Sequence, residues 1–331
     1  MIRAIYLKNG ESSTETRVEN LPAILAKNPT LLWVDIVIEN NSFTNEEISL
    51  LTETFKFHEL SIEDCLFPQY HPKIEEFENY VFAAIHGVRV KAKDLSDFED
   101  AIYEVDIFIG KNFLITVHSG EILFIDSMFE KAKLKPQVEL KSLENLLYNI
   151  FQRIIVSFES ALDKIGDRFD QLEDKLLENP TKETMQELFS IKKVLLNFRK
   201  ISEPQQNVYI YFTRETLGFI TKEQTAYFRD IFFQFVRINQ SLSSHNQMIG
   251  SMLEVYVSGV TLKLNEVIKF LTVIATIFLP ALLITSYYGM NVLPFAEHRI
   301  FGNENVWYFA FFMIVLTTFL TYLFIKRKKW F

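Results

Sequence analysis

The strongest pattern in the chain is a pair of long uncharged runs near its C-terminal end. Phe270 to Tyr288 contains no charged side chain over 19 residues, and Val306 to Ile325 contains none over 20. A helix rises roughly 1.5 Å per residue, so each run is about 30 Å long, which matches the hydrocarbon thickness of a bilayer. One such run alone is also typical of a buried core helix. Two runs separated by a short polar loop predict a membrane hairpin.

Residues 1–135 show apolar, β-branched runs with the length and partial alternation of strands. The predicted strands are Ile2–Leu7, Leu31–Val37, Tyr80–Val90, Ala101–Ile109 and Phe113–Val117, with Gly110–Asn112 as a hairpin turn between the last two. Asn45–Phe57 is predicted to be a helix with Thr44 as its N-cap. This part of the chain is therefore an α/β domain.

From about Glu121 the pattern becomes helical and stays so. The predicted helices are Ile122–Ala132, Leu140–Leu177, Thr181–Ile201, which ends near Pro204, and a run from about Lys222 to Pro280. If the last run is continuous, it is close to 60 residues and roughly 90 Å long. A helix of that length is too long for a globular core, so it is predicted to be a stalk that enters a membrane.

One stripe along the first uncharged run has the spacing of a helix face. Its members at steps of three and four are Ile268, Leu271, Ala275, Leu279, Leu282 and Ser286. Such a stripe is typical of a helix-packing seam, or of a wall shared by several copies. Pro280 predicts a local kink. The hydroxyls of Thr272, Thr276, Thr285 and Ser286 are expected to bond back to the helix or across to a neighbouring one.

The end of this run carries residues suited to a membrane surface. Tyr287 and Tyr288 fit an interfacial aromatic belt, and Gly289 allows the helix to end in a left-handed turn. Asn291 then presents an uncharged amide. A ring of such amides around a symmetry axis would form a neutral, oxygen-rich collar for a hydrated cation.

The segment Tyr288–Asn291, placed at the end of the first of two spans, resembles the Gly-Met-Asn signature of the CorA family of magnesium and divalent-cation transport proteins. The family's pore helix is also similar to Asn265–Val267, Leu271–Thr272, Ala275–Phe278 and Pro280. Its cytosolic domain is similar to His58–Asp64, Pro72–Lys73, Glu78–Phe82 and Gly110–Leu114, which are expected to be structural there.

The resemblance implies an α+β membrane protein that assembles as a funnel-shaped homopentamer. The expected organisation is a cytosolic α/β domain at 1–135, flanking antiparallel helices at 136–221, and a stalk at 222–290 that becomes the first span at about 267–288. An extracytoplasmic loop at 291–305, a second span at 306–325 and a basic cytosolic tail at 326–331 follow. The self-assembled oligomer, the lipid bilayer and divalent cations are the expected partners.

The implied function is a channel that admits Mg2+, with Co2+ and Ni2+ as further passengers, and that closes when cytosolic Mg2+ binds. Gly289, Met290 and Asn291 are the expected selectivity filter. The expected pore-lining and gating residues are Asn265, Ile268, Leu271, Thr272, Ala275, Leu279, Leu282 and Ser286. Ile268 and Leu279 stand where methionine is familiar in the family, and Leu282 stands where several relatives have a polar residue.

Acidic residues outside the spans are the candidates for regulation. Glu254, three turns before Asn265, matches a family position where an Asp at a subunit interface holds regulatory Mg2+; the alternative is a solvated helix face. Its partner acids are expected among Asp94, Asp97, Glu99 and Asp100, in a loop between two predicted strands. Glu297, in the loop after the first span, either gathers cations at the mouth or is simply exposed.

Composition narrows the classes of function. The net charge of −8 argues against nucleic acid as a partner, and fits either cation gathering or simple solubility. The single cysteine, Cys65, excludes an internal disulfide. No signal peptide is expected at the N-terminus, and the basic run Lys326–Lys329 against one loop cation, Arg299, predicts both termini in the cytosol of a multi-pass inner (plasma) membrane protein.

Three alternatives remain beside the magnesium channel. A zinc-transporting branch of the same superfamily, the ZntB-like proteins, shares the Gly-Met-Asn signature. A non-conducting, membrane-anchored coiled-coil scaffold or sensor would explain the stalk and the hairpin. An enzyme is not expected and neither is an organic cofactor, because no nucleophile or nucleotide motif is visible and Ile62 stands where a second zinc ligand would follow His58–Glu59.

Overall fold

The structure is a computed structural model that describes residues 1–8, 11–16, 18–26, 29–39, 42–67, 71–89, 101–135, 140–178, 181–214, 220–221, 223–289 and 304–327. The chain divides into two compact units. The first comprises Met1–Lys175 and Thr181–Leu253, and the second comprises Leu176–Pro180 and Glu254–Phe331.

The first unit contains a seven-stranded sheet in the order β2-β1-β3-β7-β6-β5-β4. The strands are β1 (Ile2–Lys8), β2 (Glu11–Thr16), β3 (Leu31–Ile38), β4 (Lys73–Glu76), β5 (Val81–Val88), β6 (Ile102–Ile109) and β7 (Phe113–Ser119). Neighbouring strands are antiparallel except at the central β3–β7 pair, which is parallel. The five predicted strands and the hairpin at Gly110 are confirmed. The edge strands β2 and β4 were missed, because polar ESSTET and short KIEE lack an apolar alternation.

Helices cover both faces of the sheet. They are α1 (Leu21–Ala26), α2 (Asn45–Ser49), α3 (Glu59–Leu66) and α4 (Leu123–Leu134). On one face, Leu51 and Ile62 join a core with Val34, Phe82 and Phe108 of the sheet. On the other face, α4 packs its Phe129 ring against Trp33 of β3, with 5.2 Å between ring centroids. The sheet is thus the middle of a three-layer domain.

The helix predicted at Asn45–Phe57 is only partly correct. Thr44 caps α2 as expected, in a capping box in which its hydroxyl accepts from the Glu47 amide while the Glu47 carboxylate accepts from the Thr44 amide. The α-helix ends at Ser49, and a π-helical turn follows at Leu50–Thr54. Lys56 then adopts a φ of 56°, a left-handed conformation that a helix cannot contain.

Three long helices form the rest of the first unit: α5 (Leu143–Glu178), α6 (Lys182–Tyr211) and the N-terminal part of α7 (Thr225–Gly289). Phe158 of α5 lies edge-to-face on Phe198 of α6 and on Phe235 of α7, at 6.2 and 5.4 Å between ring centroids. The Arg168–Glu187 ion pair fixes α5 and α6 as antiparallel neighbours. Large rings at helical spacing therefore supply the core of this layer.

The predicted end of α6 near Pro204 was wrong, because the helix continues to Tyr211. A proline inside a helix removes one backbone hydrogen bond and costs about 3 kcal/mol. Residues after it are buried, including Val208 and Tyr209. Burial of such side chains contributes about 1.5–3 kcal/mol each, which offsets the cost.

The second unit contains the C-terminal part of α7 and α8 (Glu304–Arg327). The helix α7 is continuous through Pro280 and ends at Gly289. Within the described residues, Thr225–Tyr287 and Tyr308–Arg327 are helices that are long and apolar enough to cross a membrane. Their large apolar side chains are mostly exposed, including Leu271, Phe278, Phe311 and Phe319. In water this exposure is unfavourable, and a bilayer removes it.

Candidate functional site

The predicted pore stripe lies on α7 as one exposed row. Its described members, Asn265 to Ser286, are all exposed in the single chain; Leu271 is 59% and Leu282 63% accessible. At about 1.5 Å per residue the row from Ile268 to Ser286 is roughly 27 Å long. The arrangement therefore offers one continuous surface of apolar and small side chains, of the depth of a membrane, to neighbouring helices.

The threonine hydroxyls of α7 bond back to the helix backbone, as the sequence predicted. Thr272 donates to the carbonyl of Ile268 at 2.7 Å, Thr276 to that of Thr272 at 2.7 Å, and Thr285 to that of Ala281 at 2.9 Å. Because each hydroxyl donates its proton to a carbonyl of the same helix, its oxygen can act only as an acceptor toward other groups. A polar ring of Thr272 would thus present oxygen, the atom that hard cations prefer.

The expected filter lies only partly within the described residues. Gly289 is the last residue of α7 and is exposed. Met290, Asn291 and the loop residue Glu297 lie outside the described residues, so their roles stay predictions. The acids Asp94, Asp97, Glu99 and Asp100 lie outside them as well.

Glu254 is exposed on α7. Within the described parts of the chain, no group of three or more His, Cys, Asp or Glu side chains is placed to hold a metal ion. A regulatory Mg2+ site at Glu254 would therefore need ligands beyond these side chains, and the sequence analysis expects them from the loop acids of a neighbouring subunit.

Segments of the α/β domain that carry the family resemblance make structural contacts. His58 is the N-cap of α3, and its Nδ1 accepts from the Leu60 amide at 3.2 Å. The Tyr80 hydroxyl accepts from the His58 amide at 2.9 Å. Lys73 pairs with Asp64, which ties β4 to α3. The pair His58–Glu59 is thus a helix start and not a zinc-protease helix.

Sequence reasoning missed a buried ionic network on the α4 side of the sheet, here called the Asp35 network. Asp35 of β3 is fully buried, and its carboxylate accepts from Arg3 at 2.7 Å and from the Thr116 hydroxyl. His118 Nε2 lies 3.3 Å from the same carboxylate, and Arg3 also donates to Asp126 at 2.5 Å. Burial alone would raise the pKa of Asp35, but these partners outweigh it and lower the pKa.

A second buried polar group on the α3 side was missed too. Glu104 and Asp106 of β6 lie on one face of the sheet, opposite His86 and Ala84 of β5. We call Glu104 and Asp106 the β6 carboxyl pair. The signal in both cases was present, since an acid inside an apolar strand, as in LLWVDIVI and IYEVDIFI, must find a buried partner.

Comparison with known proteins identifies the family. Residues 29–327 match the model of the family described as CorA-like Mg2+ transporter protein. Over 95% of the chain, the sequence is 31% identical to a cobalt/magnesium transport protein CorA of Thermotoga maritima, of which it covers 87%.

Solved structures show the same fold. The complete structure of the CorA magnesium transporter from Methanocaldococcus jannaschii superposes with a TM-score of 0.82 at 23% identity, over 100% of this chain and 99% of that one. The cytoplasmic domain of ZntB from Vibrio parahaemolyticus is more distant, with a TM-score of 0.57 at 13% identity over 69% of this chain and 87% of that one. The exposed stripe, the two spans and these matches lead to one conclusion: the chain belongs to the CorA-like Mg2+ transporter family.

Proposed function

We propose that the chain is one subunit of a homo-oligomeric channel that admits Mg2+ into the cell. The observation that carries the proposal is the exposed stripe on α7, whose spacing suits a wall shared by several copies, in a chain of this family. The relatives' names extend the proposed cargo to Co2+, and Ni2+ is a further proposed passenger.

The proposed assembly is a pentamer, with α7 of each copy around a central axis. The proposed location is the inner (plasma) membrane, with the α/β domain, the flanking helices and both termini in the cytosol and residues 291–305 outside. Support comes from the two candidate spans and from the basic end of α8, Lys326 and Arg327. An inside-negative potential then drives influx, by about 4.6 kcal/mol per 100 mV for a divalent ion.

The filter is proposed to hold Mg2+ through its water shell. Mg2+ gives up water reluctantly, so neutral oxygens that bond to the shell are a better match than a dehydrating cage. The Asn291 amide and the backbone oxygen of Gly289 would supply such acceptors. The sequence between Phe270 and Tyr288 places no carboxylate there.

Apolar side chains of the stripe are proposed to be the gate. Rings of Ile268, Leu271, Leu279 and Leu282 would exclude water when narrow, and a hydrated ion cannot cross a dry constriction. Ala275, Thr272 and Asn265 would provide the wider or polar levels between and below them. Mg2+ bound by Glu254 and the loop acids of a neighbouring subunit would favour the closed state, and its loss would release the subunits by carboxylate repulsion.

A matched pair of substitutions tests the gate. Leu282 and Leu283 are adjacent and equally exposed, 63% and 64%, but only Leu282 lies on the stripe. We expect Leu282→Asn to raise Mg2+ flux into liposomes at high Mg2+ on the cytosolic face, because it wets a closed constriction, while Leu283→Asn leaves flux unchanged. Equal effects of the two substitutions would reject the stripe as the gate.

A second experiment tests the filter and the alternatives. Loss of Mg2+ influx in Asn291→Ala, with assembly unchanged, supports the proposed filter. Zinc flux driven by a proton gradient, without Mg2+ flux, favours the zinc-transporting alternative, whose supporting observation is the distant fold match to ZntB. No flux of any divalent ion in wild type would leave the scaffold alternative.

A further inference from the structure

The β6 carboxyl pair is buried inside the first unit and is not used by the proposed conduction path. Glu104 and Asp106 are two residues apart on one strand, so their side chains share a face. The Glu104 side chain is 13% exposed, and the Asp106 residue is 4% exposed. His86 stands opposite Glu104 on β5, with its Nε2 3.1 Å from the Glu104 carboxylate.

Few charges are available to balance this pair. The ionisable groups that face it are Cys65 and Asp64 of α3, Lys73 of β4 and His86 of β5. Lys73 pairs with Asp64 and lies 3.4 Å from Glu75, and the His86 imidazole is the second potential cation of the set, which acts to lower the pKa of Asp106. On α6, the phenol of Tyr209 accepts from the Gln205 side chain at 3.1 Å, and the same Gln205 side chain bonds to the backbone of His86 on β5.

Asp106 is the clearest case of a buried acid whose negative charge is poorly compensated. Its Oδ1 is buried, and no hydrogen-bond partner for it is found among the described residues. The Asp106 carboxyl does interact with the Cys65 thiol and the Glu104 carboxyl. A buried carboxylate oxygen without a hydrogen-bond donor is nevertheless costly, whereas a protonated carboxyl is far cheaper to bury. Burial, followed by the neighbouring Glu104 carboxyl, raises the pKa of Asp106 well above its usual range. Burial also raises the pKa of Glu104 to about 8.

The strand that carries His86 is bound directly to the helical layer. β4 pairs with Val81–Ala84 of β5 and stops there, so the backbone of His86 extends beyond it. The Gln205 side chain of α6 replaces the missing strand: the His86 amide donates to its Oε1 at 2.7 Å, and its Nε2 donates to the His86 carbonyl at 2.9 Å. Two residues on, the Val88 amide donates to Ser157 of α5 at 3.1 Å.

We propose that Glu104 and Asp106 form a buried proton-binding site, and that its occupancy controls the contact between β5 and α6 through His86. With its protons bound, the pair is neutral and the sheet edge stays closed on Gln205. When the pair releases its protons to solvent, buried negative charge remains beside Asp64. That charge favours an open state in which the β5 edge separates from α6 and water reaches the carboxylates. The His86–Gln205 bonds are broken in this open state, so the α/β domain senses pH.

Infrared spectroscopy of the full chain tests the proton site without any reference to transport. Protonated and ionised carboxyls have separate stretching bands, so a pH titration shows a buried carboxyl band that disappears as pH rises toward and past 8. We expect Glu104→Gln with Asp106→Asn to remove that band, and Glu75→Gln, at a half-buried acid on β4, to retain it. Persistence of the titrating band in the double variant overturns the proposal.

Hydrogen exchange tests the link to α6. Opening that ionises one carboxyl lowers the protection of the His86 amide by up to about tenfold per pH unit, between the ordinary Glu value of 4.5 and about 8. We expect this pH dependence, after correction for intrinsic exchange, in wild type and in Glu75→Gln but not in the double variant. Equal pH dependence in all three proteins refutes the coupling.

A third experiment, which measures Mg2+ flux, rests on the proposed function. If the sensor acts on the channel, the dependence of Mg2+ flux on cytosolic-face pH is flattened in the double variant while flux at low pH is retained. Flux with the wild-type pH profile in the double variant removes the regulatory role. Absence of flux in every protein counts against the channel and leaves the infrared and exchange results to decide the proton site. If Co2+ or Zn2+ binds tightly and abolishes the infrared band of the protonated carboxyl, the pair is a metal site and the proposed proton site is refuted.

Discussion

Removal of the Asp35 carboxylate is expected to be the most damaging single change in the α/β domain. Asp35→Ala leaves the Arg3 guanidinium, 15% exposed, and the buried Thr116 without their shared acceptor, and it removes the carboxylate that lies 3.3 Å from His118 Nε2. Breaking a buried ion pair by removing one partner typically costs about 3–5 kcal/mol, because the other charge stays buried. That range corresponds to a rise of about two to four orders of magnitude in the opening equilibrium of β3.

The second partner of Arg3 supplies the control. Asp126 pairs with the same guanidinium, but its side chain is 33% exposed, so solvent replaces much of what is lost. We expect Asp126→Ala to cost about 1 kcal/mol or less. Hydrogen exchange of the β3 amides in the full chain measures both costs locally. An Asp35→Ala protein no less protected than Asp126→Ala would refute the reasoning from burial.

The Asp35 network also predicts that acid lowers the stability of the α/β domain. The pKa of Asp35 is lowered below its ordinary value of 3.8, so the folded state binds this proton less readily than the unfolded state. Its contribution to stability is therefore present above the ordinary value and is lost as pH falls through the folded pKa. Asp35→Asn should lose stability at neutral pH and show a weaker acid dependence than wild type. An unchanged acid dependence in Asp35→Asn would assign the acid lability to other groups.

Two further predictions concern single contacts, and a third concerns the proposed regulation. Gln205→Leu removes the two hydrogen bonds that Gln205 makes with the amide and the carbonyl of His86, at about 1–3 kcal/mol each, and should deprotect the end of β5 in hydrogen exchange. Thr44→Ala breaks the capping box with Glu47 and should lower the free energy of unfolding by about 1 kcal/mol, measured by denaturant titration. Glu254→Gln should weaken the inhibition of Mg2+ flux by Mg2+ on the cytosolic face, measured in liposomes. Inhibition equal to that of wild type would argue against a regulatory role of Glu254.

The largest elements of this protein could be predicted from the sequence because their signals are local. Each of the runs Phe270–Tyr288 and Val306–Ile325 contains its own evidence, namely length and absence of charge. The alternation of the five predicted strands and the hydroxyl of Thr44 before a helix are equally local. The exposed row on α7 that is proposed to line a pore was visible for the same reason, since a periodicity of three and four residues requires no knowledge of distant residues.

Other features depended on contacts between residues far apart in sequence. The continuation of α6 beyond Pro204 opposes local propensity, and it follows from the burial of Val208 and Tyr209 and from the bonds of Gln205 to a strand 119 residues away. The strand β4 is too short to be recognised alone and exists because β5 pairs with it. Local sequence contains no information on such partners.

The chemistry of the buried acids was decided by tertiary structure alone. From sequence, Asp35 and Asp106 are the same signal, an acid inside an apolar strand. Folding places Arg3 and Thr116 around Asp35, which stabilise its ionised form, but buries Asp106 beside the Glu104 carboxyl, and both the burial and that neighbour favour its protonated form. The sequence by itself determined where most of the helices, the five longer strands and the two candidate spans lie, because hydrophobic burial follows local periodicity. Only the tertiary structure decided which acids ionise, because ionisation in a protein interior depends on the charges and dipoles within a few ångströms.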